Sequence, residues 1–183
     1  GDAYDQFLRK AAPETGGIVN LVKNKMKISY NLWSAKPWPL DDELHPTEWT
    51  VAQSREVVAA TDPQQPLFLT ASFYAPHPPL FPPKKYFNRL LTSERLPEPA
   101  HGDWVDWQSL SVNRGKKGGT RVRLQGATLR KALAGYYGLI EHLDTAITPL
   151  IRDFKARSEQ AGRPWVIVFT SDHGEMLGDH GFW

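Results

Sequence analysis

Alternation of helical and strand-like periodicity predicts an α/β layered fold with a mostly parallel central sheet, expected to be incomplete within these residues. Three observations carry that expectation. Two short apolar runs, residues 66–74 and 165–169, are rich in β-branched and aromatic side chains and are bounded by glycine or proline, the pattern of strands covered on both faces. A long segment between them places Leu129, Leu133, Tyr136, Tyr137, Ile140, Leu143, Ile147, Leu150, Ile151 and Phe154 at steps of three and four, one apolar stripe of a helix. The resulting order of helix, strand, insertion, long helix and strand favours parallel strands joined by crossovers.

The elements follow in chain order. Residues 1–43 read as the least regular part, with Gly16, Gly17, Pro37 and Pro39 breaking any period. Trp33 and Trp38 are expected to pack there against a core the sequence does not locate. A helix opens at Pro46 with Thr47 as its expected cap and Glu48 at the positive end of its dipole, and stops before Asp62-Pro63. The first strand, 66–74, ends in a proline-rich exit that cannot stay in a sheet. Residues 88–126 read as an irregular or insertion segment, including the basic stretch from Arg114 to Arg121. Pro149 is expected to kink the long helix or to start a second one capped by Thr148, with Gly162 closing it.

Bulk composition narrows the function. The chain has 183 residues, 40% hydrophobic, with net charge +2 and no cysteine. That suits one unit with a sizeable core, and 1–183 is expected to be part of a single domain. The charge is too mild to argue for a nucleic-acid partner, and no run has the length of a membrane span. Disulfides, thiolate metal sites and a cysteine nucleophile are excluded within these residues. Opening on Gly1 and closing on Trp183, the chain is expected to be an internal piece of a longer protein. Localisation is left open.

Chemistry gathers where the second strand ends. Asp172 and His173 precede Gly174. Neighbouring side chains on a regular strand point to opposite faces, so the two converge only if the backbone turns, as Gly174 permits. Ligands of open α/β sheets sit beyond the carboxyl ends of strands. The pair therefore reads as a divalent metal site; an isolated Asp-His-Gly would read as a surface turn. His77, between Pro76 and Pro78 at the end of the first strand, is a rigidly held imidazole. Other signals are discounted. The string from Gly115 to Thr120 lacks P-loop spacing, and Glu141-His142 has no second histidine at metal-binding spacing. Trp104 and Trp107 could stack on sugar rings but read first as surface packing.

Residues 171–181, Ser-Asp-His-Gly-Glu-Met-Leu-Gly-Asp-His-Gly, resemble the metal-binding signature of the sulfatase family within the alkaline-phosphatase-like superfamily. The segment 67–79, which delivers His77, is similar to the family's sulfate-contacting loop. Residues 44–49 and 134–144 resemble the flanking helices, so the likeness covers roughly 44–87 and 127–183. It implies an alkaline-phosphatase-like fold and metal-dependent hydrolysis of a small-molecule or carbohydrate sulfate ester. It also implies Asp172 and His173 as ligands of a divalent ion, with His77 contacting the sulfate or leaving oxygen. Many members carry Asp-Asn at the ligand pair. The Asp-His version keeps calcium as first choice and manganese or zinc as alternatives. Asp179 and His180 are expected to support the metal turn. The family's formylglycine nucleophile arises from a Cys-x-Pro-x-Arg or Ser-x-Pro-x-Arg motif, and neither occurs in these residues. Asp41-Asp42 is out of place for the family's early metal pair. Phosphonate monoester or phosphodiester hydrolysis, and a noncatalytic degenerate relative, are the alternatives.

Overall fold

The computed structural model describes residues 2–114 and 121–183; the Gly115 to Thr120 string singled out above lies outside them. The helices are α1 (Ala3–Ala11), α2 (Ile18–Asn20, continuing as a π-helical stretch Leu21–Met26), α3 (Pro46–Ala60), α4 (Lys84–Leu91) and α5 (Gly126–Gln160). The amino-terminal region is thus more regular than its glycines and prolines suggest. Asp2 caps α1 by accepting the Asp5 N–H at 2.6 Å, and Arg9 pairs with Asp5 one turn back at 2.7 Å. Tyr4 and Leu8, also one turn apart, are buried with Leu21, Val22, Met26, Trp38 and Phe81. Trp33 belongs to a different cluster, with Val122, Leu124, Leu129 and Leu133. The two tryptophans expected to find a core therefore reach two.

The remaining helices pack around α5. Val51 and Val58 of α3 meet Ala146 and Leu150, and Arg55 bonds Asp153 across the same interface at 2.6 Å. Phe87 and Leu90 of α4 pack with Ala134, and Arg89 of α4 pairs with Glu141. The 80–82 segment crosses α5 very closely. A Cβ on Gly135 would fall 2.6 Å from Ala35 Cβ and 2.9 Å from Leu80 Cβ, and one on Gly138 would fall 2.8 Å from Pro82 Cγ. Both helical glycines, each disfavoured relative to alanine in a helix interior, are explained by that approach.

Two expected details change. α3 is capped by His45, whose Nδ1 accepts the Thr47 N–H at 3.1 Å with Pro46 at the first helical position; Thr47 is buried instead. Pro149 lies inside one uninterrupted helix. Thr148 does not start a new one, because its hydroxyl donates back to the Asp144 carbonyl at 3.0 Å. The end falls where expected. Gly162 is left-handed at φ +63°, the Arg163 N–H bonds the Ser158 carbonyl, and the Gly162 N–H bonds that of Glu159, the Schellman arrangement.

The principal correction concerns the strands. Residues 66–74 and 165–171 are extended but form no ladder; among the described residues the only bridges are the isolated pairs Ala35–Leu80, Val112–Arg123 and Arg121–Phe182. In the first segment Leu67, Leu69, Ala71 and Phe73 lean on the α3/α5 cluster, whereas Phe68 is 94% exposed. In the second, Val166 and Val168 are 78% and 81% exposed. A strand buried on both faces needs paired edges and a layer on each side. The described residues supply one helical layer and no partner strand. The alternation in 66–74 is that of a strand holding its inner face; the central sheet itself is not formed here.

His45 and His142 are both buried, ring centroids 4.6 Å apart, and His142 Nε2 bonds Glu48 Oε1 at 2.8 Å. Burial, and next the neighbouring His142, hold the His45 pKa well below 6.5, against a smaller opposing effect of the Phe81 backbone. A depressed folded-state value means that the unfolded chain takes up the proton first. Stability is therefore complete above about pH 6.5 and falls as pH drops below it, by at most about 1.4 kcal/mol per pH unit. His45→Asn keeps a capping acceptor but cannot titrate. Urea melts from pH 8 to 5 should show a flatter decline for this variant; an unchanged slope would remove His45 as the cause. Gly135→Val should cost about 1–3 kcal/mol by overpacking against Leu80, read as a lower urea midpoint.

Candidate active site

His77 is held by its loop. Its N–H bonds the Tyr74 carbonyl at 3.0 Å, its ring lies 4.6 Å from that of Tyr74, and its Nδ1 meets the Pro78 carbonyl. A carbonyl partner assigns the proton to Nδ1 and leaves Nε2 as the available nitrogen. The chain after His77 is anchored deeply. Pro78 through Pro83 are buried, the Leu80 carbonyl accepts the Lys36 N–H, and that of Pro82 accepts the Trp38 N–H. Leu80 packs on Tyr136 and Leu139 of α5, so the loop inherits the position of that helix.

Asp172 and His173 stand at the exit of the second extended segment, 87% and 62% exposed. Asp172 Oδ1 accepts the His173 N–H at 3.0 Å, and the Ser171 hydroxyl donates to the His173 carbonyl at 2.7 Å. His173 Nδ1 lies 3.0 Å from the Gly174 carbonyl, which again places the proton on Nδ1 and frees Nε2. That nitrogen is 3.6 Å from Asp172 Oδ2. Two donors on one ion can be at most on the order of 4.5 Å apart, the sum of two bond lengths, so the pair fits two positions of one coordination shell. The His173 N–H, then the N–H of Asp172 itself and the charge of His173, lower the Asp172 pKa. The Gly174 carbonyl, followed by Asp172, raises that of His173. Among the described residues no group of three or more His, Asp or Glu side chains is arranged to hold a metal. The residues present fit part of a metal site.

The two loops meet. Pro78, next to His77, lines one small cleft with Glu175, Leu177 and Trp183, and its floor is Tyr136 of α5. Burial, then the Glu175 carboxylate, raises the Tyr136 pKa. The sequence predicts His77 and Asp172 on a shared cleft; the cleft seen here is lined by their loop neighbours Pro78 and Glu175 with Tyr136 of α5, which the sequence pattern did not single out. Glu175, the one glutamate of the 171–181 signature, was the available hint.

The second half of the signature is a closed turn. The Gly178 N–H bonds the Phe182 carbonyl at 2.7 Å, and Asp179–Gly181 forms a single 3₁₀ turn in which His180 is left-handed at φ +52°. Asp179 was expected to support the metal turn. Its Oδ1 instead accepts the Ala100 N–H at 2.7 Å, and the His180 N–H bonds the Ala100 carbonyl at 2.8 Å. Trp104 lies over His180, centroids 5.1 Å apart, and Trp107 stacks on His101 at 4.4 Å. The surface packing expected for the tryptophans is therefore packing onto the signature.

The histidine loop and the signature loop thus share a cleft at Pro78 and Glu175 over α5, and comparison with known proteins specifies the class. The family model described as Sulfatase matches residues 12–182. An arylsulfatase of Clostridium perfringens is 37% identical over 180 residues, covering 97% of this chain and 36% of that protein. Human iduronate 2-sulfatase is 30% identical over 136 residues (64% of this chain, 23% of the relative). A multifunctional alkaline phosphatase superfamily protein of Trinickia caryophylli is 29% identical over 133 residues (63% and 25%). The chain belongs to the sulfatase family of the alkaline-phosphatase-like superfamily, whose fold is α/β. It spans about a third or less of the length of these relatives.

Proposed function

We propose that the chain supplies one part of the active site of a sulfate-ester hydrolase, with the nucleophile and the remaining metal ligands contributed by residues outside these 183. The observation that carries the reading is the Asp172 Oδ2–His173 Nε2 pair, 3.6 Å apart with the imidazole tautomer fixed by Gly174, on a loop meeting that of His77. Asp172 and His173 would hold a divalent ion, calcium first, with manganese or zinc as alternatives favoured by the imidazole. Such an ion supplies Lewis acidity toward the sulfuryl oxygens. Formylglycine, expected from the family, would be the nucleophile.

The chain's own residues then have separate tasks. Asp172 contributes negative charge to the ion's shell, and the Gly174 carbonyl engages His173 Nδ1, so Nε2 is the nitrogen offered to the ion. His77, its Nδ1–H directed at Pro78, presents Nε2 to the sulfate or to the departing alcohol oxygen, where it orients the group or moves a proton. The substrate is a small-molecule or carbohydrate sulfate ester. No helix among the described residues is long and apolar enough to cross a membrane. Phosphonate monoester or phosphodiester hydrolysis is the second reading, favoured by the Asp-His pair and by the likeness to the multifunctional superfamily protein.

In the full-length protein, Asp172→Ala should abolish metal binding and nearly all sulfatase activity. His77→Ala should retain the metal and lose on the order of 10²–10³ in rate. Metal content and turnover of p-nitrophenyl sulfate and a phosphonate monoester, measured side by side, check this. An unchanged rate in His77→Ala removes that residue from the reacting centre, and faster phosphonate than sulfate turnover in the wild type promotes the second reading. The 183 residues alone should turn over neither ester and should bind divalent ions weakly, since two protein ligands compete poorly with water.

A further inference from the structure

We infer that the second Asp-His-Gly of the signature is a clamp fastening the 99–107 loop beside the cleft, and that Trp104 on that loop stacks on the ring of the substrate's leaving group. This rests on the sulfate-ester reading and adds a specificity residue to it. The clamp has three parts: Asp179 Oδ1 on the Ala100 N–H, the Ala100 carbonyl on the His180 N–H, and the Trp104 ring over the His180 imidazole. The loop is also fixed internally. The Gly102 carbonyl accepts from both the Val105 N–H and Trp107 Nε1, and His101 stacks on Trp107.

The position is set by the turn. Leu177 and Trp183, which bracket it, both line the cleft shared with Pro78 and Glu175, so a loop held on the turn stands beside that cleft. Trp104 is fixed from one side by His180 yet remains 65% exposed. An indole with one face pinned and much of its surface open is a preorganised stacking partner, since ordering it on binding costs little. Its neighbours select which end of a substrate it meets. Asp103 and Asp106 flank it in the chain and disfavour a sulfate group, leaving the aromatic or pyranose ring of the leaving alcohol. Asp179 is then a positioning residue, acting through the loop.

The test uses the full-length protein with p-nitrophenyl sulfate, whose leaving group is a ring, and ethyl sulfate, whose leaving group is not. Trp104→Ala should raise KM for the aryl ester about three- to tenfold and leave both constants for ethyl sulfate unchanged, and Trp104→Phe should restore most of the loss. Gly102→Ala tests the same ring without removing it. Its Cβ would fall 2.5 Å from Trp104 Nε1 and 2.9 Å from His180 Nδ1, so it should reproduce the aryl-selective KM rise. Asp179→Ala should do likewise and Asp179→Asn, which keeps an acceptor oxygen, should rescue it. Equal losses on both esters in Trp104→Ala, or no loss on either, overturn the stacking role. A fall in kcat on both esters in Asp179→Ala overturns the clamp. A wild-type protein hydrolysing neither ester defeats the sulfate-ester reading itself, a result distinct from either.

Discussion

The close crossing of the 80–82 segment over α5 is the constraint on which the other positions depend. Gly135 and Gly138 remove two side chains from one stripe of a 35-residue helix, and Leu80 and Pro82 occupy the space. Filling that space is costly on either side, because a core at crystal-like density has nowhere to move. Through this contact the His77 loop is tied to α5, and Leu80 reaches the Tyr136 that floors the cleft. α3 is tied to the same helix by the half-buried Glu48–His142 bond and by Arg55–Asp153. Buried Arg157 completes the frame, donating to the Asp62 and Gln65 carbonyls where the chain leaves α3 for the first extended segment. The geometry of the site is thus a consequence of one helix and what it allows to approach.

Exposure of the two extended segments has the same origin. Residues 67, 69, 71 and 73 lean on α3 and α5, whereas Val166, Val168 and Phe169 are bare. Apolar β-branched side chains left in water forgo about 25 cal/mol for each Å² that burial would cover, and unpaired strand edges invite association. Paired edges and a second covering layer, the ordinary architecture of an α/β sheet, would relieve both. The asymmetry is that of extended segments resting on one helical layer with no paired strand among the described residues.

Much of this was legible in the residues. The three-and-four spacing from Leu129 to Phe154 identified α5, and Gly162 marked its end, because both depend on local backbone rules. The Asp172-His173 turn and His77 stood out for their chemistry where strands were expected to end, and their roles stay a proposal. Long-range packing was not legible. His45 replaced Thr47 as the α3 cap because its ring is already buried against Trp38, Phe81 and His142, a fact no local pattern contains. Asp179 bonded Ala100, 79 positions away, for the same reason. The amino-terminal helix was hidden by flanking glycines and prolines that turn out to punctuate it. The α/β class agrees with the family, while the two expected strands have no paired partner among the described residues, because apolar runs report what a segment needs, not what surrounds it.

The most direct measurement is a crystal structure of the full-length protein soaked with divalent metal and a sulfate or sulfonate analogue, with the ion located by anomalous scattering. One ion should bridge Asp172 and His173 Nε2, and His77 Nε2 should lie within hydrogen-bond distance of an oxygen of the bound anion, about 2.6–3.2 Å. An ion bound away from Asp172 and His173, or an anion out of reach of His77, would contradict the convergence of the two loops on one reacting group.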